Sequence, residues 1–337
     1  MALISFAPLR IPLKRRIQTL AVLFGVFIAF LAHATGLVLW LVLFLSKYWP
    51  IAIFYATIII VFDRDRPSQG GRRFSVIRNL AIWRYFCDYF PIKLVKTAHL
   101  DDNKNYIFGF HPHGIITAGA FGNFATEGTD FSHVFPGIKP YLLTLKILFK
   151  FPFFRDFFMG FGICDVSKAS IRCICKASTG GNAAIIIIGG AAESLDAHPG
   201  SCTLTLKDRK GFIRMALQTG ANLVPVYSFG ENELYNQANN PRGSLLRRLQ
   251  DRIRRWLTFA PVLFYGRGIF QYNFGFLPFR RKITTVVGAP IKVVKRSNAT
   301  PAEVNRLHQL YVKRLKELFD RHKKEHSDYP NATLEIL

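Results

Sequence analysis

Acidic side chains are scarce in this sequence. There are 21 Asp and Glu against 45 Lys and Arg, a formal net charge of +24, and no Asp-rich loop of the kind that holds a hard metal ion. Cysteine is scarce too. Cys87, Cys164, Cys173, Cys175 and Cys202 form an odd, scattered set in apolar surroundings, which excludes a disulfide framework and suits reduced, structural thiols. Several catalytic signatures are missing: the G-x-S-x-G serine elbow, the H-E-x-x-H zinc helix, and the G-x-x-x-x-G-K-[ST] and G-x-G-x-x-G phosphate loops. No cysteine lies in a recognisable nucleophile motif, and there is no internal repeat or low-complexity tract.

Apolar residues, by contrast, are abundant. Half the chain is hydrophobic, with 32 Phe, and the mean hydropathy is +0.18. Nucleic-acid binders share the basic charge but seldom this apolar content, so no nucleic-acid partner is expected. A basic, apolar chain fits an anionic membrane surface or an anionic cofactor better.

The apolar content is concentrated in "IQTLAVLFGVFIAFLAHATGLVLWLVLFLSKYWPIAIFYATIIIVF", residues 17–62. One spanning helix needs about 20 residues; this stretch is roughly twice as long and is interrupted at "HATG" (33–36) and "SKYWP" (46–50). It is too long for a signal peptide. Arg10, Lys14, Arg15 and Arg16 precede it, and Arg64, Arg66, Arg72 and Arg73 follow it. Positive flanks stay cytosolic, which predicts a transmembrane helical hairpin with both termini in the cytosol. No clean span follows residue 65. The expected organisation is therefore a basic N-terminus (1–16), the hairpin (17–62), a polar Gly/Pro connector (63–78) and a membrane-seated cytosolic domain (79–337).

Within that domain "NLAIWRYFCDYFPIKLVKT" (79–97) reads as an amphipathic helix, either interfacial or buried. Strands are predicted at 106–110, 183–190, 223–229 and 283–288, and helices at 140–149, 210–220 and 244–258. A last helix opens on a capping box, Thr300 with Glu303, and Pro301 at its first position. The alternation predicts an α/β fold with a mixed, mainly parallel sheet, its ligands lying at strand ends.

Three polar motifs follow predicted strands: "HPHG" (111–114), "GGAAES" (189–194) and "FGENE" (229–233). This brings His111, His113, Glu193 and the additional acid Glu231 towards one rim. A metal site fits poorly, since Pro112 bends the His-x-His spacing into a turn. A histidine pair that merely caps the turn remains open. The chemistry that fits is acid–base work: a neutral imidazole taking a proton from an alcohol, oriented by an acid such as Glu193, with the backbones of Gly114, Gly189 and Gly190 steadying an oxyanion. Lys207, Arg209, Lys210 and Arg214 cluster at a predicted helix start and suit phosphates. "FYGRGIFQYNFGFLPFRR" (264–281), with Arg267, suits an acyl chain or an adenine ring.

"YIFGFHPHG", "FPGIKPYLLTL", "GGAAESL", "RKGFIRMAL", "LVPVYSFGENE" and "ITTVVGAPI" together resemble the acyl-CoA:monoacylglycerol and diacylglycerol acyltransferase family, in order from "FAPL" (6–9) to the last helix. The resemblance implies an endoplasmic-reticulum membrane enzyme that moves an acyl group from acyl-CoA to a lipid hydroxyl without metal or prosthetic group. It implies that His111–Gly114 is the catalytic signature and Glu193 its partner. The H-x4-D pattern of other glycerolipid acyltransferases is absent, because Ile116 and Ala118 stand where Asp would be, so the orienting acid must come from elsewhere in the chain, which puts more weight on Glu193. The opening "FAPLRIPLKRRIQTLAVL" and "FQYNFGFLPFRR" are most similar to the monoacylglycerol branch, with diacylglycerol and fatty-alcohol acceptors as alternatives. A metal-dependent lipid hydrolase and a non-enzymatic lipid-binding protein are the rivals outside the family. The oligomeric state stays open, a homo-oligomer being compatible.

Overall fold

The computed structural model describes residues 4–8, 10–176, 180–257 and 259–337. Its longer helices are α1 (Leu13–Phe30), α2 (Ala32–Phe44), α3 (Trp49–Val61), α4 (Ala81–Tyr89), α5 (Phe154–Gly160), α6 (Lys168–Cys175), α7 (Gly211–Thr219), α8 (Leu245–Leu257) and α9 (Pro301–His326). A central sheet is built from β1 (Lys93–Lys96), β2 (Tyr106–His111), β3 (Lys139–Thr144), β4 (Cys164–Asp165), β5 (Asn182–Ile187), β6 (Asn222–Phe229) and β7 (Thr284–Val287). Their order across the sheet is β1-β7-β6-β2-β5-β3-β4. All neighbours run parallel except β7 against β6, so the expected α/β, mainly parallel architecture is present.

β2 stands at the centre of the seven and every one of its residues is buried, which explains its unbroken apolar run. One face of the sheet is covered by a Phe-rich layer that includes α1 and α4. The other is covered by α6, α7 and α9, with Phe212, Val304, Tyr311, Leu315 and Phe319 in its core. β2, β5 and β6 end together, and β7, running the other way, begins beside them with Thr284 opposite Phe229. The HPHG, GGAAES and FGENE segments therefore leave the sheet at one end, where ligands of such folds bind.

Three sequence expectations need correction. Residues 140–149 are not a helix: β3 takes Lys139–Thr144, and a 3-10 turn follows at Lys146–Lys150. A Leu-rich run of that length carries no decisive period, and pairing with β5 and β4 on either side makes it a strand. The helix expected over 79–97 stops at Tyr89, just before Pro91, and "KLVK" becomes β1 against β7. The two-span hairpin over 17–62 is instead three helices. No single one among the described residues is long and apolar enough to cross a membrane, although α1 and α2, bent by 68°, would pass by length and composition as a pair. α1 packs on α4, whereas α2 and α3 pair with each other, the indole Nε1 of Trp40 donating to the carbonyl of Ala52 at 3.2 Å.

Residues 63–78 are tightly held despite their polar composition. Arg155, 1% exposed, binds the Asp63 carboxylate at 2.5 Å and its carbonyl at 2.7 Å. Arg72 bridges Asp63 and Asp156 at 2.6 and 2.7 Å. Arg78, equally buried, donates to the carbonyls of Phe124, Ala125 and Phe161 and to Glu127.

Candidate active site

β2 ends at His111, and the His111–Pro112 peptide is cis. The His111 side chain is fully buried. Its Nε2 lies 3.0 Å from the hydroxyl of Tyr311 on α9, and that hydroxyl lies 3.1 Å from the carbonyl of Gly109. A carbonyl only accepts, so Tyr311 donates to Gly109 and accepts from His111 Nε2–H. Burial pushes the His111 pKa down to about 3, and the ring stays neutral. Gly109 is glycine for a steric reason: a Cβ there would stand 2.0 Å from the Tyr311 hydroxyl.

His113 is only partly buried. Its Nδ1 lies 3.0 Å from the carbonyl of Gly114 and 3.0 Å from Oγ of Ser194. The carbonyl can take only a donated proton, so Nδ1 carries the hydrogen and Nε2 bears the lone pair. Nε2 has no protein partner among the described residues. Burial holds the pKa of this ring below its usual value. The result is a neutral imidazole with its orienting nitrogen anchored and its basic nitrogen bare.

Glu193 does lie beside His113, but it does not touch the ring. Its Oε2 accepts from the main-chain N–H of His113 at 3.0 Å, and Oε1 accepts from that of Thr205 at 2.9 Å. The carboxylate thus ties the HPHG turn to the segment after the GGAAES turn. The expectation that Glu193 orients the imidazole is corrected: Ser194, one residue on, holds that nitrogen together with Gly114. The signal for Ser194 lies in the motif itself, where a hydroxyl directly follows Glu193 and can serve the ring nitrogen in place of an acid. Burial raises the Glu193 pKa to about 7.

Glu231 is also displaced from its expected role. It is not on an open rim but 1% exposed. Oε1 accepts from the Gly119 N–H at 2.7 Å and the Ser228 hydroxyl at 3.3 Å, while Oε2 is buried without a partner. Burial raises its pKa to about 8. A Cβ on Gly114, whose φ is +62°, would sit 3.0 Å from the Glu231 carbonyl and 3.3 Å from its Cβ, so Glu231 is a floor beneath the turn.

The three glycines divide in role. Gly189 makes room for Glu193, whose carboxyl carbon lies 1.8 Å from where a Cβ would stand; Gly190, at φ +58°, borders open space. Lys207, Arg209, Lys210 and Arg214 gather at the start of α7, just past Thr205, and Arg209 is close enough to Glu193 to favour its charged form. Arg267 does not join them; it lines a separate cavity with Arg15, Arg280 and Arg281. Among the described residues one group has metal-ligand spacing, His322, Glu325 and His326. It lies about three helical turns beyond Tyr311 on α9, with the His326 ring centre 6.0 Å from that of Phe229.

A family model described as diacylglycerol acyltransferase matches residues 41–337. The chain belongs to that family. It is 49% identical to the 2-acylglycerol O-acyltransferase 1 of Bos taurus, covering 98% of each chain. It is 47% identical to the diacylglycerol O-acyltransferase 2 of Dictyostelium discoideum, over 99% of this chain and all of that one. The human diacylglycerol O-acyltransferase 2 is 44% identical over 97% of this chain and 84% of its own. The resemblance read from the motifs is thereby borne out over nearly the whole length.

Proposed function

We propose that this acyltransferase moves a fatty acyl group from acyl-CoA to 2-monoacylglycerol, giving diacylglycerol and free coenzyme A, with further acylation to triacylglycerol as a second reaction. The observation that carries the mechanism is the bare Nε2 of His113. It takes the proton of the acceptor hydroxyl as that oxygen attacks the thioester carbonyl. The tetrahedral oxyanion collapses, the C–S bond breaks, and the imidazolium returns its proton to the departing thiolate. Of the three glycines, Gly190 has the open approach that an oxyanion donor needs. His111 and Glu193 hold the turn in shape. Lys207, Arg209, Lys210 and Arg214 give the catalytic end a positive approach for the co-substrate's phosphates. No metal or prosthetic group enters these steps.

The reading includes a membrane seat. α2 and α3 have 13 residues each, a reach of about 20 Å at 1.5 Å per residue, against a hydrocarbon core of about 30 Å. Their outward faces, with Val38, Val42, Phe54 and Ile60, are exposed. Such a pair enters one leaflet of the endoplasmic-reticulum membrane and returns, keeping both termini and the catalytic domain in the cytosol.

The bovine 2-acylglycerol enzyme and the Dictyostelium diacylglycerol enzyme are almost equally similar, which makes diacylglycerol the second acceptor to test. The chain, purified and reconstituted in vesicles, is offered labelled oleoyl-CoA with 2-oleoylglycerol, dioleoylglycerol or hexadecanol. The highest kcat/KM is expected with 2-oleoylglycerol. A higher value with either other acceptor would reassign the reaction, and no transfer to any of them would overturn it.

A further inference from the structure

α1 is apolar on two opposite faces. Ala21, Val22, Val26 and Ile28 are buried in the Phe-rich core layer. On the other side Leu13, Leu20, Leu23 and, just past the helix end, Leu31 fall within roughly an 80° arc at 3.6 residues per turn, and all four are exposed. That stripe meets the exposed α2–α3 pair at the 68° bend between α1 and α2. A helix docked by one face and showing leucines along the other lies in the plane of a bilayer surface. At its N-terminal end the loop of residues 264–281 exposes Phe270, Phe274 and Phe276, each more than half accessible. Phe6, also exposed, is bridged to that loop through Gln271.

Between this loop and α1 lies a cavity of about 320 Å³. Arg15, Thr19, Arg267, Tyr272, Arg280 and Arg281 line it, and no Asp or Glu does. Four arginines among the described residues are more than nine-tenths buried: Arg78, Arg155, Arg247 and Arg267. The first three are ion-paired, with Glu127, Asp63 and Asp196. Arg267 has no acid. Its Nε donates to the Gly268 carbonyl at 3.0 Å, and its guanidinium lies 4.6 Å from the centre of the Tyr272 ring. Its terminal nitrogens have no protein acceptor among the described residues. Arg280 is held in place by Gln18 at 2.7 Å, the Arg15 carbonyl at 3.1 Å and Thr19 at 3.3 Å. Burial and the nearby Arg267 and Arg15 charges push its guanidinium below the usual range. Gathering like charges without a counter-charge is costly unless an anion completes the site.

We propose that this cavity binds the phosphate of an anionic phospholipid headgroup at the bilayer surface. The phosphate chemistry would be shared by a soluble ligand, the coenzyme A moiety included. The apolar rim favours the lipid: the exposed phenylalanines and the leucine stripe put the arginines at headgroup level, where anionic lipids supply the charge. This site is independent of the acyl-transfer reading.

The test uses the full chain in phosphatidylcholine vesicles doped with phosphatidylserine at roughly one lipid in five. After extraction in mild detergent, retained lipids are counted by native mass spectrometry. The wild type is expected to retain phosphatidylserine about ten-fold over its share of the mixture, the worth of one or two charge-assisted contacts. The double variant Arg15→Gln, Arg281→Gln should reduce that preference to parity. Both residues are exposed, and neither side chain has a hydrogen bond or ion pair among the described residues, although the Glu233 carboxylate feels the Arg281 charge. Parity in the wild type, or an undiminished preference in the variant, overturns the proposal. KM for oleoyl-CoA is read on the same samples, and a rise there with lipid preference intact would assign the cavity to coenzyme A instead.

Discussion

At His113 the proton position follows from its neighbours, since the Gly114 carbonyl and Ser194 Oγ both face Nδ1. Replacing Ser194 by Ala removes one of two acceptors and leaves the other. We expect kcat to fall about five-fold, the worth of one neutral hydrogen bond, with KM for both substrates unchanged. A further readout separates positioning from simple packing. Ser194 stabilises the proton-bearing ring, so its loss should lower further a pKa that burial already depresses and move the acid limb of the pH–rate profile to lower pH than in the wild type. A five-fold loss with an unmoved limb would contradict this role. Glu231 gives a stability prediction at the same scale. Its pKa in the folded state, about 8, lies above the ordinary glutamate value of 4.5. The folded state therefore binds this proton more tightly, and stability contributed by the protonated group is lost as pH rises between those values. Thermal unfolding of Glu231→Gln should show a shallower decline across that window than the wild type; an identical decline would reject the assignment.

Among the elements, the segment between α3 and α4 has the clearest energetic consequence. Asp63 and Arg155 are both nearly buried and paired at 2.5 Å. Removing Arg155 leaves the Asp63 carboxylate with Arg72 as its remaining close partner and takes a donor from the Asp63 carbonyl, so Arg155→Met should destabilise the fold by about 3 kcal/mol, measured by denaturant unfolding in detergent. A loss near zero would mean that the network is solvent-compensated. This segment also shows where the sequence was hard to read. Its Gly, Pro and Arg content signals a loose connector, and nothing local reveals that Asp63 meets a residue more than ninety positions away. The same holds for β3, whose Leu-rich run acquires a strand's identity only from β4 and β5. By contrast β2, β5 and β6 were legible because each is a short buried run ended by turn residues. α9 was legible because its cap is written locally: Thr300 Oγ1 accepts from the Glu303 N–H at 3.2 Å, and Glu303 returns to the Thr300 N–H at 2.8 Å. The site was half legible. Strand ends brought the HPHG, GGAAES and FGENE motifs together, but which atom of Glu193 or Ser194 meets which nitrogen depends on three-dimensional register.

For the whole molecule, charge, apolar surface and chemistry are arranged around one sheet. Its C-terminal strand ends carry the histidines, one face carries α1, and α1 leads into the α2–α3 pair. On the proposed membrane seat, an acceptor lipid reaches the catalytic end from the bilayer while acyl-CoA arrives from the cytosol. The account stands on His113 as the base, and the most direct measurement is the initial rate of oleoyl transfer to 2-oleoylglycerol by His113→Gln in vesicles. Its unfolding temperature should match that of the wild type. The predicted rate is lower by about a thousand-fold, the scale of a lost general base; transfer near the wild-type rate by a folded variant would contradict it.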